Sequence, residues 1–378
     1  LLFYVLHLQG IGHVVRSSRI CAALAEDGHD VTLVLGGMPI EGFSAGRART
    51  VQLPPLRMSP ESYRVLLKED GTPLDDAYRA LRRDQLMAEL DRARPDVVMF
   101  EAFPFDRPQM HFEILPFIEA ARTRTPRPLI VSSIRDILHF KDKAERDAKA
   151  LEHVKAYFDK VLIHGDPRLA TLDMTFRHAD EIADMVHYTG IVTPPAEPAF
   201  TPTQYDVIVT AGGGATGEAL LKAAIAAKPE TALADANWVA TLGPHIPPDA
   251  AREVIRLGAE QNIEIVPFLP DLMRHLAGAK LSISQAGYNT GADLLRAHCR
   301  AVMCPFSGAR QNEQARRAEL FAEHGLAIMV PEAELSPASL RTAIGEALAM
   351  PPDRLQLDLD GAANTARILG ELIAADVG

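Results

Sequence analysis

Short apolar runs alternate along the chain with glycine-bearing turns and amphipathic stretches. The first run, residues 2–6, leads through Gly10 and Gly12 into a helical pattern at 14–27 that Gly28 ends, and a second run follows at 31–35. This order predicts a strand–helix–strand opening and an α/β protein with parallel sheets. Further strands of this first half are predicted at 51–53, 96–101, 129–133 and 160–164, with a helix at 142–158, and residues 186–190 lead out of this half.

A proline-rich stretch without apolar periodicity, residues 193–202, separates this half from a second one that starts again with an apolar run at 206–210. A length of 378 residues also favours two domains over one core. The expected boundaries are 1–192, a linker at 193–204, 205–361, and a last helix within 362–378. Strands of the second half are predicted at 238–242, 263–266, 281–284, 301–304, 327–330 and 332–335, with helices from Glu218, up to Gly278, at 290–297 and at 336–349.

Composition narrows the class of protein. The chain is 47% hydrophobic and 24% charged, which is typical of a soluble globular protein, and its net charge of −11 argues against a nucleic-acid partner. The cysteines Cys21, Cys299 and Cys304 have no metal-ligand spacing, and their odd number favours the reducing cytoplasm. No apolar run reaches the ~18 residues that a transmembrane helix needs.

Polar side chains cluster where predicted strands of the first half end. His13 follows the first strand, Glu101 ends the strand at 96–101, and Arg135 with Asp136 follows the strand at 129–133. Ligands of open α/β sheets gather at such carboxyl ends, so these residues are cleft candidates. Local backbone hydrogen bonding is the alternative role for His13, and salt bridges or helix caps are the alternatives for the others. The polar helical stretch 62–94 either lines an acceptor groove or forms a solvated cap.

The stretch 281–314 carries the most specific pattern. A strand ends at Ser284, Gly287 allows a tight turn, and a helix starts at Thr290. Free backbone N–H groups and a positive helix end meet at such a turn, which suits a phosphate. Asp293 lies one turn further along, where its carboxylate can reach a ribose, and a polar loop with Gln311 and Asn312 follows the next strand.

The loop Gly212-Gly213-Gly214-Ala215-Thr216-Gly217 also follows a strand and formally matches a dinucleotide fingerprint. The next strand, however, ends without the carboxylate that an NAD site wants. The loop at 10–16 matches poorly, because Val15 stands in place of the third glycine. The loop at 212–217 is therefore either a packing turn or a phosphate loop of another kind.

Together these motifs resemble nucleotide-sugar glycosyltransferases of the GT-B fold, most closely the family 28 type that contains MurG. The resemblance implies two Rossmann-like domains facing a cleft, with the last helix crossing back to the first domain. It implies an acceptor-binding first domain with Gly10, Gly12, Arg16 and Arg135 on the acceptor or phosphate side. It assigns the donor diphosphate to Gly212, Gly213, Gly214, Thr216, Ser284, Gly287, Tyr288, Asn289 and Thr290, the base to Phe268 and Leu269, the ribose to Asp293, and the sugar to Gln311 and Asn312. The family acid at position 293 is usually Glu, and the second Gln of its pair is Asn312 here.

The implied activity is the inverting transfer of a hexose or N-acetylhexosamine from a UDP-sugar to an acceptor, with His13, Glu101 or Asp136 as catalytic base and with no metal or other cofactor. A small molecule, a lipid-linked sugar or a protein is the expected acceptor, and a lipid would bring the protein to the inner face of the membrane. Three alternatives stay open: a PseG-type nucleotide-sugar hydrolase, which shares the glycine–histidine loop; a non-catalytic nucleotide-sugar-binding protein; and a 2-epimerase of the same fold. For Phe268 and Leu269 the alternative is an apolar plug between helix and sheet.

Overall fold

A computed structural model describes residues 1–8, 10–59, 65–138, 144–195, 204–211, 217–243, 246–270, 272–306, 312–351 and 355–376. Over these residues the chain forms two sheets flanked by helices, so the predicted α/β class with two parallel sheets is confirmed.

The first sheet has 8 strands in the order β4-β3-β2-β1-β5-β6-β7-β8. Only β4 pairs antiparallel; every other neighbour is parallel. β1 and β5 are buried throughout, as expected for central parallel strands covered on both faces. The bounds are β1 Leu2–Val5, β2 Thr32–Gly37, β3 Arg49–Met58, β4 Leu66–Leu67, β5 Val97–Glu101, β6 Leu129–Arg135, β7 Lys160–His164 and β8 Val186–Tyr188.

The second sheet has 6 strands, all parallel, in the order β11-β10-β9-β12-β13-β14. Their bounds are β9 Val207–Thr210, β10 Trp238–Thr241, β11 Ile263–Val266, β12 Leu281–Ser284, β13 Ala301–Met303 and β14 Ile328–Met329. The prediction of a strand at 332–335 is wrong. A 3-10 turn, Glu332–Glu334, stands there, because Pro331 has no N–H with which to continue the ladder.

The α-helices are α1 Gly12–Glu26, α2 Asp76–Ala93, α3 His111–Arg122, α4 Ala144–Tyr157, α5 Glu218–Ala227, α6 Pro248–Glu260, α7 Leu272–Gly278, α8 Tyr288–Ala297, α9 Glu313–Glu323, α10 Pro337–Ala349 and α11 Gly361–Asp376. Further 3-10 turns lie at Pro108–Met110, Leu172–Met174, Ala179–Met185 and Lys228–Glu230.

Two helix ends follow from local sequence. Gly28 ends α1 at a φ of +93°, a conformation that glycine adopts without strain. Ser336 caps α10: its hydroxyl accepts from the N–H of Ser339, and Pro337 takes the first helical position. Within the polar stretch 62–94, the structure has the helix α2. This helix buries Leu86 and Leu90 against the core of the first sheet.

The order of strands explains where polar side chains collect. In the first sheet the chain runs to one side through β1, β2 and β3, and to the other through β5 to β8. The second sheet reverses in the same way between β9 and β12. A crevice opens at the carboxyl ends of strands at such a switch point, and ligands bind there. His13 follows β1, Glu101 ends β5, and the turn 285–287 follows β12, so candidate residues lie at both switch points.

Two chain segments cross side by side between the sheets. The N–H of Ile191 donates to the carbonyl of Asp358, and the N–H of Gly361 donates back to Ile191. A Cβ on Gly361 would lie 2.4 Å from the carbonyl oxygen of Gly190, so only glycine fits there. α11 then packs on α1 in the first sheet's core. The expected boundaries at 192/193, 204/205 and 361/362 stay predictions.

Cys21, Cys299 and Cys304 are buried as free thiols. Across the described ranges, no helix is both long enough and apolar enough to cross a membrane.

Candidate active site

A histidine–glutamate pair lies at the switch point of the first sheet. His13 Nδ1 is 2.7 Å from Glu101 Oε1, and the same oxygen accepts from Arg16 Nη2 at 2.5 Å. Glu101 is 2% exposed, whereas the His13 side chain is 17% exposed. Because an ionised carboxylate only accepts hydrogen bonds, Nδ1 carries the proton and Nε2 keeps its lone pair.

Electrostatics keep the two groups in complementary states. Burial would raise the pKa of Glu101, but His13, Arg16 and Arg107 outweigh it and hold that pKa at about 2. Burial lowers the pKa of His13 despite the nearby carboxylate, and the positive charges of Arg107 and Arg135 lower it further. The imidazole is therefore neutral at neutral pH and can accept a proton.

Arg107 stands over the accepting nitrogen of His13. Its Nη2 lies 3.4 Å from His13 Nε2, a long contact that a ligand hydroxyl can replace. Arg107 lies in the loop after β5 and has a φ of +66°. A pocket next to the pair is lined by His13, Glu101, Ala102, Phe105, Asp106, Ile134, Arg135 and Leu138.

Arg135 and Asp136, at the end of β6, form ion pairs that join the two sheets' domains. Arg135 donates to both carboxylate oxygens of Glu313, at 2.7 and 2.5 Å. Asp136 accepts from Arg317 at 2.7 and 3.1 Å and from the N–H of Ile137. Both residues thus form the salt bridges that were the alternative to a cleft role. A role of Asp136 as catalytic base stays a prediction, and both of its carboxylate oxygens already accept hydrogen bonds from Arg317.

The turn after β12 contacts the first domain directly. Ser284 is fully buried, and Gly287 precedes α8 with a φ of −65°. Tyr288 is 8% exposed, and its hydroxyl donates to the carbonyl of His164 and accepts from the N–H of Val192. Asn289 donates to the carbonyl of Gly12, 3.0 Å away.

Two helices start on either side of this contact. α1 begins at Gly12 after Ile11, and α8 begins at Tyr288 after Gly287. Neither preceding residue has a side-chain oxygen with which to cap the helix. Gly10 shapes the first loop with a φ of +64°. Each helix start offers backbone N–H groups to an anion.

Asp293 faces the first domain from α8. Its Oδ1 accepts from Arg19 Nη2 at 3.0 Å, and the residue is 8% exposed. Burial raises the pKa of this carboxyl although Arg19 opposes the rise. A ribose at this position would share Asp293 with Arg19.

Phe268 and Leu269, in the loop after β11, differ in exposure and therefore in the role each can have. Phe268 is 74% exposed, and Leu269 is 6% exposed within the second domain's core. Leu269 therefore packs as the apolar plug, whereas Phe268 presents a ring to solvent that a base can stack on.

Several expected donor residues lie outside the described ranges: Gly212, Gly213, Gly214, Thr216 and Gln311. Asn312 precedes α9 as its N-cap residue, and Thr290 lies half-buried in the first turn of α8. Within the described residues, no group of three His, Cys, Asp or Glu side chains could hold a metal ion.

The sequence did not identify Arg107, Arg19, Glu313 or Arg317. Arg19 follows Arg16 by three positions on α1, and Arg317 follows Glu313 by four on α9, so each pair shares a helix face. That spacing was the available signal. The contact of Arg107 with His13 depends on a loop conformation that no pattern indicates.

Comparison with known proteins finds similar chains. The model of the glycosyltransferase family 28 C-terminal domain matches residues 207–367. Over 113 residues, 30% of each chain, the protein is 34% identical to the UDP-N-acetylglucosamine--N-acetylmuramyl-(pentapeptide) pyrophosphoryl-undecaprenol N-acetylglucosamine transferase of Rhodopseudomonas palustris (strain HaA2). The match thus spans under a third of that relative's length.

Solved structures cover the whole chain at low identity. MurG of Acinetobacter baumannii superposes with a TM-score of 0.60 at 13% identity, over 98% of this chain and 99% of that one. The spinosyn forosaminyltransferase SpnP gives 0.62 at 15% identity, over 99% and 98%. The calicheamicin glycosyltransferase CalG4 gives 0.59 at 17% identity, over 100% and 94%. These likenesses show the fold. The chain therefore has the GT-B fold, and its residues 207–367 are similar to the glycosyltransferase family 28 C-terminal domain.

Proposed function

We propose that this protein is a glycosyltransferase that moves a hexose or N-acetylhexosamine from a UDP-sugar to an acceptor hydroxyl. The observation that carries the proposal is the His13–Glu101 pair, and a match of residues 207–367 to the family 28 C-terminal domain supports it. The buried carboxylate fixes the imidazole through Nδ1 and leaves Nε2 at the pocket, which is how a general base is held.

In the proposed reaction the acceptor hydroxyl displaces Arg107 from Nε2 of His13. The proton of that hydroxyl moves to Nε2 while its oxygen attacks the anomeric carbon. The bond from that carbon to the β-phosphate oxygen breaks, and its electron pair leaves with UDP. One displacement from the opposite face inverts the anomeric carbon. Glu101 stabilises the imidazolium that forms, as a carboxylate of low pKa can.

The donor side of the proposal rests on α8 and its surroundings. The helix start at Tyr288 offers N–H groups and a positive end to the diphosphate, so that no metal is needed to neutralise it. Asp293 would bind the ribose, and Phe268 would stack on the uracil. The glycine loop 212–216 and Gln311 stay predicted contacts of the diphosphate and the sugar.

The acceptor is proposed as a hydroxyl compound bound by the first domain: a small molecule, a lipid-linked sugar or a protein. A lipid-linked acceptor would be met at the inner face of the membrane from the cytoplasm. We keep the residues from 1 to 192 as the proposed acceptor-binding domain and those from 205 to 361 as the proposed donor-binding domain.

A donor screen with product analysis tests the proposal. A UDP-sugar should raise the melting temperature, because ligand at 100 times its Kd stabilises a folded protein by about 2.7 kcal/mol. Incubation with an acceptor library should then give glycosylated product and UDP. Release of free sugar at the same rate without acceptor would mean a hydrolase, binding without turnover would mean a non-catalytic binder, and interconversion of the UDP-sugar would mean an epimerase.

A further inference from the structure

Tyr288 inserts from the second domain into the first. Its hydroxyl accepts from the N–H of Val192 at 2.9 Å and donates to the carbonyl of His164 at 2.8 Å. Val192 begins the crossing out of the first domain, and His164 ends β7. Both polar contacts of this hydroxyl are thus to backbone of the first domain, so the side chain fixes where the turn after β12 lies.

Two buried arginines lie over the ring of Tyr288. The guanidinium of Arg16 lies 5.1 Å from the ring centroid, and that of Arg317 lies 5.8 Å from it. Arg16 is 2% exposed and Arg317 is 1% exposed, so both cations are desolvated next to the ring. Cation–π attraction is strongest for such desolvated pairs.

Arg317 makes more hydrogen bonds than Arg16 among the described residues. Arg317 makes a bidentate pair with Asp136 and donates to the carbonyl of Ala286. Arg16 reaches Glu101 through Nη2, and its Nε has no hydrogen-bond partner among the described residues. The position of Arg16 therefore depends on the Tyr288 ring as well as on Glu101.

This places the turn after β12 in contact with the proposed base by two routes. One runs from the Tyr288 ring through Arg16 to Glu101 Oε1, the oxygen that also binds His13. The other runs from Asn289 Nδ2 to the carbonyl of Gly12, the residue before His13. The residues that follow this turn are thus linked to His13 through Arg16 and Glu101 and through the backbone of Gly12.

We infer that Tyr288 is a positioning residue that couples the donor turn to the His13–Glu101 pair, so that the base is aligned only when the donor half is seated. This inference rests on the proposed function. Tyr288 acts through Arg16, and its hydroxyl is engaged by the first domain rather than by a donor. Its loss should lower turnover more than nucleotide affinity.

The coupling has an electrostatic signature at His13. Among the described residues, the charged and titratable groups near this imidazole are Glu101 on β5, Arg16 on α1, Asp106 and Arg107 after β5, Arg135 on β6 and His7 after β1. Arg16 and His13 share one oxygen of Glu101. If Arg16 withdraws, the carboxylate acts more fully on the imidazolium, and the pKa of His13 rises.

The test compares Tyr288→Leu, which removes ring and hydroxyl, with Tyr288→Phe, which removes the hydroxyl alone. Tyr188→Phe is the control, because it also deletes a hydroxyl bonded to a backbone N–H, that of Leu172, but on β8 away from the cleft. For each variant, kcat against pH, calorimetric UDP affinity and the NMR titration of the His13 imidazole are measured.

Tyr288→Leu should lower kcat by about 10- to 100-fold, a part of the ~10²–10⁴ that a general base supplies, and keep UDP affinity within about threefold. The acid limb of kcat and the His13 titration should both move to higher pH. Tyr288→Phe should lower kcat by a few fold with the titration unmoved, and Tyr188→Phe should match wild type.

Two outcomes would overturn the inference: UDP affinity that falls as far as kcat, or a His13 titration that is unchanged in Tyr288→Leu. If Tyr288→Leu does not fold, unchanged kcat in Tyr288→Phe would overturn it. The NMR titration needs no acceptor. A wild-type protein that turns over no donor would therefore refute the proposed function, whereas an unmoved titration would refute the coupling.

Discussion

Replacing Glu101 by Gln is the sharpest perturbation of the proposed base, since it keeps the shape of the side chain and removes its charge. The carboxylate is buried and accepts from His13 and Arg16 through one oxygen. An amide in its place would leave the Arg16 guanidinium buried without its counter-charge. We expect losses in both stability and turnover.

The stability loss follows from the pKa of Glu101. A shift from 4.5 to about 2 corresponds to about 3 kcal/mol, because one pKa unit is about 1.36 kcal/mol. The folded pKa is the lower one, so this stability is fully present above the unfolded pKa of 4.5 and is lost as pH falls through about 2. The difference between wild type and variant should therefore be about 3 kcal/mol at neutral pH and less than half of that at pH ~3.

The kinetic loss follows from the state of His13. Glu101 raises the pKa of this imidazole against burial, so an amide at position 101 should lower that pKa. The acid limb of kcat/KM should move to lower pH, while the plateau falls by about 10- to 100-fold because the imidazolium loses its partner.

The assay combines urea unfolding at both pH values with a pH profile of kcat/KM. Glu119→Gln is the control, since that carboxylate is exposed on α3 of the same domain and should change neither quantity. A Glu101→Gln variant whose stability deficit is the same at both pH values, or whose acid limb stays in place, would refute the reasoning.

Three further predictions concern the second domain. Asp293→Ala should weaken UDP binding by about 1.5–3 kcal/mol in calorimetry, whereas Arg19→Ala, which breaks the same ion pair, should not; equal losses would remove Asp293 from the ribose site. Phe268→Ala should weaken UDP binding by about 1–3 kcal/mol through lost base stacking and leave the melting temperature unchanged, because the ring is 74% exposed; unaltered affinity would show that the ring does not contact the base. Arg317→Leu should lower the free energy of unfolding by about 3–5 kcal/mol, because it leaves the Asp136 carboxylate buried without the guanidinium that pairs with it; a loss below about 1 kcal/mol in denaturant titrations would contradict this.

Much of the fold could be predicted from hydrophobic pattern and turn residues. Strands β7, β11 and β12 and the start of α5 lie where the apolar runs and glycines indicated them. β7 and β12 are buried almost throughout and α5 begins after Gly217, so for these elements the local signal and the tertiary environment agree. Helices α3, α6 and α9 were not predicted. These helices are amphipathic, but the residues before them did not indicate where each helix begins.

The site could be predicted only in part. His13 and Glu101 were identified because each lies at a strand end, but their pairing depends on β1 and β5 being neighbours in the sheet. The ion pairs between the two domains could not be predicted from the sequence. Arg317 and Asp136 are 181 positions apart and Arg19 and Asp293 are 274 apart, and the packing of two domains brings them together. Sequence spacing carries no information on that packing.

The measurement that tests the central claim most directly is turnover and UDP affinity in His13→Ala. Removing the imidazole should lower transfer by about 10²- to 10⁴-fold, the contribution of a general base. UDP binding should stay close to wild type, because the proposed nucleotide contacts lie in the second domain. Near-normal transfer by a folded His13→Ala protein would contradict the account.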